Sequence, residues 1–187
     1  SLIVVTLSGQ ARRIALDKLR MEEGQVVPGV SPGEVNAPRW LLTAHSKDLL
    51  CFMNTSGQAQ VLAAHQVPDI AQQPQGLPLK SLLHLPNGQQ VADVFTAGEM
   101  AEDRFVTFFT RQGRVKRLAL SEMGSLSGGG LVIGIPEGDS LLRAFVTTGS
   151  QDLLVITAQG RGLRFKEDEV RPQGRSGSGM RAINLAE

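Results

Sequence analysis

Tyrosine is absent from this chain of 187 residues, which also has one cysteine, one tryptophan and three histidines. The lack of tyrosine excludes every mechanism that needs a tyrosine nucleophile within this chain. Cys51 has no second cysteine with which to form a disulfide. Its place in an apolar run predicts a small buried hydrophobe in a protein of the reducing cytosol. No apolar run approaches the roughly 20 residues of a transmembrane helix and no signal peptide is visible, so we expect no membrane partner.

Residue types that carry catalysis or bind metals are few and scattered. His45, His65 and His84 have no carboxylate or cysteine at ligand spacing, so we expect structural or solvated side chains. The glycines at 128–130 do not follow the order strand, loop, helix of a phosphate-binding motif, which indicates a surface loop. Residues 167–169 (Glu-Asp-Glu) are interpreted as a solvated turn, with cation coordination as the less favoured alternative. We therefore predict no catalytic residue, no metal and no cofactor.

One sequence motif occurs four times along the chain. It consists of an apolar strand, a Thr or Asn, a turn that ends in Gly and a second strand that usually carries basic residues. The glycines that end these turns are spaced 48, 56 and 47 residues apart, and they are Gly9, Gly57, Gly113 and Gly160. A period near 50 residues indicates a repeat protein, and for all-β units it is typical of propeller blades. We predict an all-β, propeller-like fold of about four repeats with four-stranded blades.

The repeats are assigned to residues 1–36, 37–88, 89–138 and 139–187 of a single domain. The strands predicted for the last three are 40–44, 49–54, 59–64 and 79–85; 91–96, 104–110, 114–120 and 131–135; 142–147, 153–157, 162–166 and 180–185. Strands 49–53 and 153–156 are apolar at nearly every position, which predicts burial on both faces. Residues 2–5 align with the second strand of a blade and lack an opening strand before them. We expect either a piece of a larger propeller or strand exchange between neighbouring blades.

The net charge of +1 hides an uneven distribution of charge. Residues 1–103 contain 7 Lys/Arg and 10 Asp/Glu, whereas residues 104–187 contain 12 and 8. Basic residues also recur one, three and four positions after the turn glycines, so neighbouring blades would present cations at matching heights. Such a row suits the phosphate backbone of DNA. The alternative, that these cations only keep the blade edges soluble, remains open.

The candidate DNA-binding residues are the cations at these positions and in the loops of the last repeat. They are Arg12, Arg13, Arg111, Arg114, Lys116, Arg117, Arg161, Arg164, Lys166, Arg171, Arg175 and Arg181. Gln60 and Val61 stand at the corresponding positions of the second repeat and would leave a gap in the row.

Two stretches resemble a known family. Residues 108–123 (FFTRQGRVKRLALSEM) and 156–185 (ITAQGRGLRFKEDEVRPQGRSGSGMRAINL) are similar to the blade signature of the C-terminal domain that bacterial DNA gyrase and topoisomerase IV carry on their A subunits. The resemblance implies a β-pinwheel whose blades exchange strands, as a ring or an open arc. It also implies an outer rim that binds and bends or wraps duplex DNA, largely without reading its sequence, in support of supercoiling or strand passage.

The same resemblance implies that catalysis lies in other domains of a cytoplasmic, nucleoid-associated type IIA topoisomerase, so this chain is not an enzyme by itself. The implied partners are the B subunit and the remainder of the A subunit. The hallmark loop of gyrase reads Gln-Arg-Arg-Gly-Gly-Lys-Gly, and the nearest match here is the degenerate loop Gln173, Gly174, Arg175, Ser176, Gly177, Ser178 and Gly179. Two other functions stay open: a propeller-type protein-interaction scaffold without DNA binding, and a propeller enzyme.

Overall fold

The computed structural model describes residues 1–19, 37–85, 89–98 and 103–185. These residues confirm the all-β prediction. The strands are β1 (Leu2–Thr6), β2 (Gln10–Ile14), β3 (Pro38–Thr43), β4 (Leu49–Asn54), β5 (Gln58–Ala63), β6 (Leu77–Pro78), β7 (Val91–Ala97), β8 (Phe105–Thr110), β9 (Arg114–Ala119), β10 (Gly130–Leu131), β11 (Leu141–Thr147), β12 (Asp152–Ile156), β13 (Gly162–Lys166) and β14 (Met180–Arg181). The helical segments are α1 (Leu79–Leu82) and the 3₁₀ turns Leu16–Lys18, Ala64–Gln66, Leu120–Met123 and Glu167–Glu169.

Three sheets follow one plan, in which two central strands come from one predicted repeat and both outer strands from the next. The strand orders are β3-β1-β2-β6 in the first sheet, β7-β4-β5-β10 in the second and β11-β8-β9-β14 in the third. The fourth sheet contains β12 and β13. Strand exchange between neighbouring repeats is therefore confirmed, as expected of a β-pinwheel. The strand β1 is not a bare edge, because β2 and β3 flank it on its two sides.

The closing strands of the repeats are shorter than predicted. Instead of strands over 79–85, 131–135 and 180–185, the structure has the two-residue strands β6, β10 and β14. Each of them pairs with the second central strand of its sheet, which comes from the preceding repeat, as Gln10 opposite Pro78 illustrates. Proline has no amide proton to donate to a ladder, which limits β6, and residues from Leu79 onward turn into α1.

The recurring sequence motif forms a tight turn that one side chain stabilises. The Thr or Asn oxygen at its start accepts a hydrogen bond from the backbone amide four residues later. The pairs are Thr6 with Gln10 at 3.0 Å, Asn54 with Gln58 at 2.9 Å, Thr110 with Arg114 at 3.2 Å and Thr157 with Arg161 at 3.1 Å. The four turn glycines have φ of 77°, 83°, 78° and 79°. This geometry, a turn followed by a left-handed residue, favours glycine. It explains why the turn of the motif ends in glycine in all four copies.

The described residues divide into two compact units. Unit 1 comprises Ser1–Leu50, Leu62–Leu85 and Thr96–Gly98, and unit 2 comprises Cys51–Val61, Pro86–Phe95 and Glu99–Glu187. Unit 1 has a core that includes the fully buried Ile3 and Leu50, and unit 2 has one that includes Phe108 and Leu118. The predicted repeat boundaries remain a prediction.

The prediction that the apolar strands 49–53 and 153–156 are buried on both faces is confirmed for β4 and wrong for β12. The residues Leu50 to Met53 of β4 are at most 2% exposed, and this includes Cys51, whose predicted burial is confirmed. In β12, by contrast, Leu154 is 65% and Ile156 is 67% exposed. The reason is that β12 and β13 pair with no further strand among the described residues, so one face of the fourth sheet stays uncovered there. No helix of the described residues is long and apolar enough to span a membrane.

Candidate nucleic-acid interface

The twelve predicted cations fall into three groups according to their exposure. The exposed group consists of Arg111, Arg161, Arg164, Lys166, Arg171 and Arg181; the half-buried group of Arg13, Arg114 and Arg175; and the buried group of Arg12, Lys116 and Arg117. All six exposed cations lie in unit 2. The predicted row therefore does not form one continuous line of accessible charge, and its exposed part begins in the third repeat.

Exposed cations of the fourth sheet lie on the same face as its exposed apolar side chains. Arg164 lies opposite Leu154 and Lys166 opposite Asp152 in the ladder of β12 and β13. The Asp152 carboxylate lies 2.6 Å from Arg164 and 3.1 Å from Lys166. Hydrogen bonds from Arg164 and then Lys166 hold the pKa of Asp152 below its usual value. This carboxylate neutralises part of the positive charge on the face.

Arg111 and Arg161 both line a cavity of about 280 Å³ in unit 2 whose walls include Leu142 and Ile156. Neither guanidinium has an ion pair with another described residue, and the same holds for Arg171. Arg181, the last residue of β14, donates a hydrogen bond to the Asn184 side chain at 3.1 Å. These side chains are the ones that a phosphate can reach without breaking a buried contact.

Arg114 is directed toward the protein's own backbone. Its Nε donates to the carbonyl of Ser178 at 2.9 Å and its Nη2 to that of Gly179 at 3.0 Å. Arg175 is held by Glu122, 3.7 Å away, and donates to the Ser125 hydroxyl at 3.0 Å. Both cations would have to exchange these partners to contact a phosphate.

Lys116 does not fit the prediction of a DNA contact, because its side chain is 0% exposed. The Nζ donates to the carbonyls of Val132 at 2.7 Å, Gly174 at 2.7 Å and Arg175 at 2.9 Å. These three acceptors match the three N–H groups of an ammonium ion. Burial lowers the pKa of Lys116 to about 8, and the nearby Glu122 carboxylate opposes that shift.

Arg117 is buried as well and also does not fit a DNA contact. Its Nη1 lies 3.6 Å from the Glu167 carboxylate and donates to the Gly149 carbonyl at 3.2 Å, and its guanidinium stacks over the Phe105 ring at 4.4 Å. Glu167 is 0% exposed, so the interpretation of residues 167–169 as a solvated turn is wrong at this position. The carboxylate accepts hydrogen bonds from the Thr147 hydroxyl at 2.6 Å and the Gly149 amide at 3.0 Å.

The two cations predicted in the first repeat are also engaged within the chain. Arg12 is 7% exposed and donates to the carbonyl of Pro74 at 3.3 Å. Arg13 donates to the carbonyl of Val67 at 3.3 Å and lies 3.7 Å from Asp69. Their burial follows from the strand pattern of β2, whose outer edge is covered by residues of the second repeat.

In unit 2, sequence reasoning missed two exposed cations of the described residues, Arg104 and Arg143. Neither stands at a fixed distance from a turn glycine, so the repeat pattern carried no signal for them. Arg143 pairs with Asp93 at 3.3 Å, and its side chain is 62% exposed. Among the described residues no group of three or more His, Cys, Asp or Glu side chains is arranged to hold a metal ion.

The loop that resembles the gyrase hallmark closes on itself. The Gln173 side chain accepts a hydrogen bond from the Gly179 amide at 2.9 Å, and the Gly177 amide donates to the Gly174 carbonyl at 3.0 Å. Gly179 has φ of +70° and packs against the Val115 carbonyl, where a Cβ would clash. The loop thus has a defined shape that lies against β9.

The family described as "DNA gyrase C-terminal domain, beta-propeller" matches residues 104–148 and 151–187. The DNA gyrase A subunit of Staphylococcus aureus (strain NCTC 8325 / PS 47) is 30% identical over 191 residues, which cover 99% of this chain and 22% of that protein. The chain therefore spans about a fifth of the length of this relative.

Two solved structures share the fold. The C-terminal domain of DNA topoisomerase IV superimposes with a TM-score of 0.78 at 21% identity, covering 100% of this chain and 57% of the other. The DNA gyrase A C-terminal domain gives a TM-score of 0.76 at 17% identity, covering 100% of this chain and 61% of the other. The third and fourth repeats therefore match the DNA gyrase C-terminal domain family, and the whole chain, with its strand exchange and recurring turn, shares the β-pinwheel fold of these two solved domains.

Proposed function

We propose that this chain is a non-catalytic DNA-binding module of the A subunit of a type IIA topoisomerase, and that it binds and bends duplex DNA through the exposed cations of unit 2. The observation that carries the proposal is that six of the predicted cations, from Arg111 to Arg181, are exposed in a chain that matches the DNA gyrase C-terminal domain family over residues 104–148 and 151–187. Each phosphate contact would release counterions, and the sum of such contacts would offset a bending cost on the order of a few kcal/mol.

The proposed partners follow from the same family match. They are duplex DNA of any sequence, the B subunit of the topoisomerase, plus the remainder of the A subunit, in the bacterial cytoplasm. Base readout is not expected, because the cations are arranged by the strands and loops of the repeat rather than on an element that would enter a groove. Chemistry on DNA would belong to other parts of the topoisomerase.

The experiment is a titration of fluorescently labelled duplex DNA at several salt concentrations, read by anisotropy. The test variant Arg161→Gln/Arg171→Gln should lower the slope of log affinity against log salt by about 2, because each phosphate contact contributes roughly 0.9. The matched control Lys47→Gln/Lys80→Gln removes two exposed charges from unit 1 and should leave the slope unchanged. The proposal fails if the parent chain binds no better than a neutral protein at low salt, or if both double variants change the slope equally.

A specific observation also favours a protein contact at the fourth sheet. Leu154 and Ile156 are two-thirds exposed, whereas Met53, at the position of Ile156 in the second repeat, is 0% exposed. Large apolar side chains that are exposed to solvent on one sheet, but buried at the equivalent position of another sheet, are typical of a surface that binds protein. The same face carries Arg164 and Lys166, so a protein bound there would compete with DNA for these two cations and leave Arg171 and Arg181 accessible.

A further inference from the structure

The buried Lys116 amine bonds to two places in unit 2. One of its three acceptors, the Val132 carbonyl, follows β10, and the other two, the carbonyls of Gly174 and Arg175, belong to the loop 172–179. A buried ammonium loses its hydration, so it is retained only where other groups replace the lost hydrogen bonds. An apolar side chain of equal length would fill the space but would leave three carbonyls without donors. The arrangement is therefore specific for a cation that ties these segments together.

The loop 172–179 is attached to β9 at its two ends as well. It begins next to a bridge between Arg117 and Pro172, where the Gln173 amide donates to the Arg117 carbonyl at 2.9 Å. It ends at Gly179, which packs on β9 before β14 starts. In the middle of the loop, Lys116 binds the carbonyls of residues 174 and 175. Other contacts there are those of the Arg175 side chain with Glu122 and Ser125 and a hydrogen bond of 3.0 Å from the Gly134 amide to the Gly177 carbonyl.

The first repeat contains an equivalent buried cation, Arg12, in unit 1. Arg12 stands three residues after Gly9, as Lys116 stands three after Gly113, and it donates to a carbonyl of the loop 69–76. That loop also begins at a bridge, between Arg13 and Asp69, and ends at a glycine of positive φ, Gly76 at +73°. A buried cation that reaches into the next repeat's loop is thus a recurring feature of the fold.

We propose that Lys116 is a positioning residue for DNA binding, which fixes the loop 172–179 and thereby the placement of Arg171 and Arg175, and that Arg12 fixes the loop 69–76 in the same way. The DNA-binding part of this inference rests on the function proposed above. Lys116 contributes no contact to DNA itself, because its amine is fully enclosed. Its effect on DNA is transmitted through the backbone of residues 174 and 175.

The first test uses hydrogen exchange of backbone amides without DNA, in the chain and in Lys116→Met. The amides of Gly177 and Gly179, which close the loop, should exchange at least tenfold faster in the variant, whereas the amides of β12 and β13 should be unaffected. Unchanged loop exchange would overturn the proposal, because the loop would then hold itself. Equal loss of protection throughout β8 and β9 would overturn it too, since Lys116 would then support the whole sheet.

Lys116→Arg is the second variant and covers the case in which the Met variant does not fold. Arginine occupies this position in the first repeat and keeps the charge and the donors. The Arg variant should retain slow exchange at Gly177 and Gly179. Fast exchange at both amides in a folded Arg variant would contradict a role that depends on a donor at this position.

The second test compares DNA affinity with its salt dependence. Lys116→Met should bind duplex DNA about tenfold more weakly with an unchanged salt slope, because no phosphate contact is removed. A slope lowered by about 1 would mean that Lys116 contacts phosphate directly, and unchanged affinity would mean that the loop has no part in binding. If the parent chain does not bind DNA, the proposed function fails, while the exchange experiment still decides whether Lys116 anchors the loop.

Discussion

The guanidinium of Arg117 lies 3.6 Å from the carboxylate of Glu167, with both side chains enclosed in unit 2. The pair joins β9 to the 3₁₀ turn that follows β13, so it connects the third sheet with the fourth. Sequence patterning placed both residues at the surface, one as a DNA contact and the other in a solvated turn. Their actual role is structural, and it leads to the first prediction.

Glu167→Gln should reduce the free energy of unfolding by about 3 kcal/mol, because it leaves the buried Arg117 without its counter-charge. The double variant Glu167→Gln/Arg117→Met should lose less than the sum of the two single variants, as coupled partners do. Urea unfolding followed by far-UV circular dichroism measures both. Asp152→Asn is the control: its pair with Arg164 is exposed to solvent, so the loss should be much smaller than for Glu167→Gln. Equal losses for Glu167→Gln and Asp152→Asn would refute the structural role.

The turn glycines Gly9 and Gly113 should respond differently to alanine. Both have φ near +78°, so alanine costs about 1–2 kcal/mol at either position. At Gly9 a Cβ meets nothing within 4 Å, whereas at Gly113 it would lie 2.6 Å from the Ile183 carbonyl. Gly113→Ala should therefore lower the thermal midpoint clearly more than Gly9→Ala. Equal losses for the two variants would contradict this prediction, because the contact at Ile183 would then adjust without cost.

Lys116 makes stability depend on pH in the alkaline range. Its pKa is about 8 in the folded chain and 10.5 in the absence of burial, so between these values the unfolded chain holds a proton that the folded chain has released. The contribution of Lys116 to the free energy of unfolding should therefore rise with pH across this window. The Lys116→Met variant lacks this titration but retains the charged neighbours Glu122 and Arg175, and it retains Cys51, whose pKa burial raises to about 12. The stability of the parent chain relative to Lys116→Met, measured by urea unfolding, should increase from pH 8 to 10.5; a constant difference would contradict the shift.

Equivalent positions of two repeats should differ in their sensitivity to truncation. Met53 is 0% exposed and Ile156 is 67% exposed, although each precedes the Asn or Thr of its turn. Met53→Ala should cost about 2–5 kcal/mol, because it opens a cavity, and Ile156→Ala should cost less than about 0.5 kcal/mol. Thermal unfolding of the two variants tests this. A large loss for Ile156→Ala would show that its face is covered in solution.

The fold was predictable because the recurring turn has a strict local chemistry. A side-chain acceptor at Thr6 or Asn54 and a glycine three residues later are visible in the sequence, and each marks a hairpin whose strands follow. The predicted bounds of strands such as β4 and β13 agree with the structure. Sheet membership was not predictable in the same way, since the choice between a strand of the same repeat and one of the next depends on loops of variable length.

The interface was less predictable than the fold, because residue type alone does not show whether a charged side chain in a strand points to solvent or to a backbone carbonyl. Arg114, Lys116 and Arg117 are basic positions of one strand, yet one is half-buried and two are enclosed. The signal that distinguishes them is the comparison between repeats. The residue three positions after the turn glycine is buried in the first three repeats, where it is Arg12, Gln60 or Lys116, and this is not expected of a rim that faces DNA.

Strand exchange between neighbouring repeats has a consequence for folding during synthesis on the ribosome. The first sheet extends from residue 2 to residue 78, the second from 49 to 131 and the third from 105 to 181, so each sheet overlaps the next along the chain. A nascent chain cannot finish one sheet until it has made most of the following repeat. Folding should therefore trail translation by about one repeat, and a protease cut anywhere between residues 2 and 181 would sever at least one sheet.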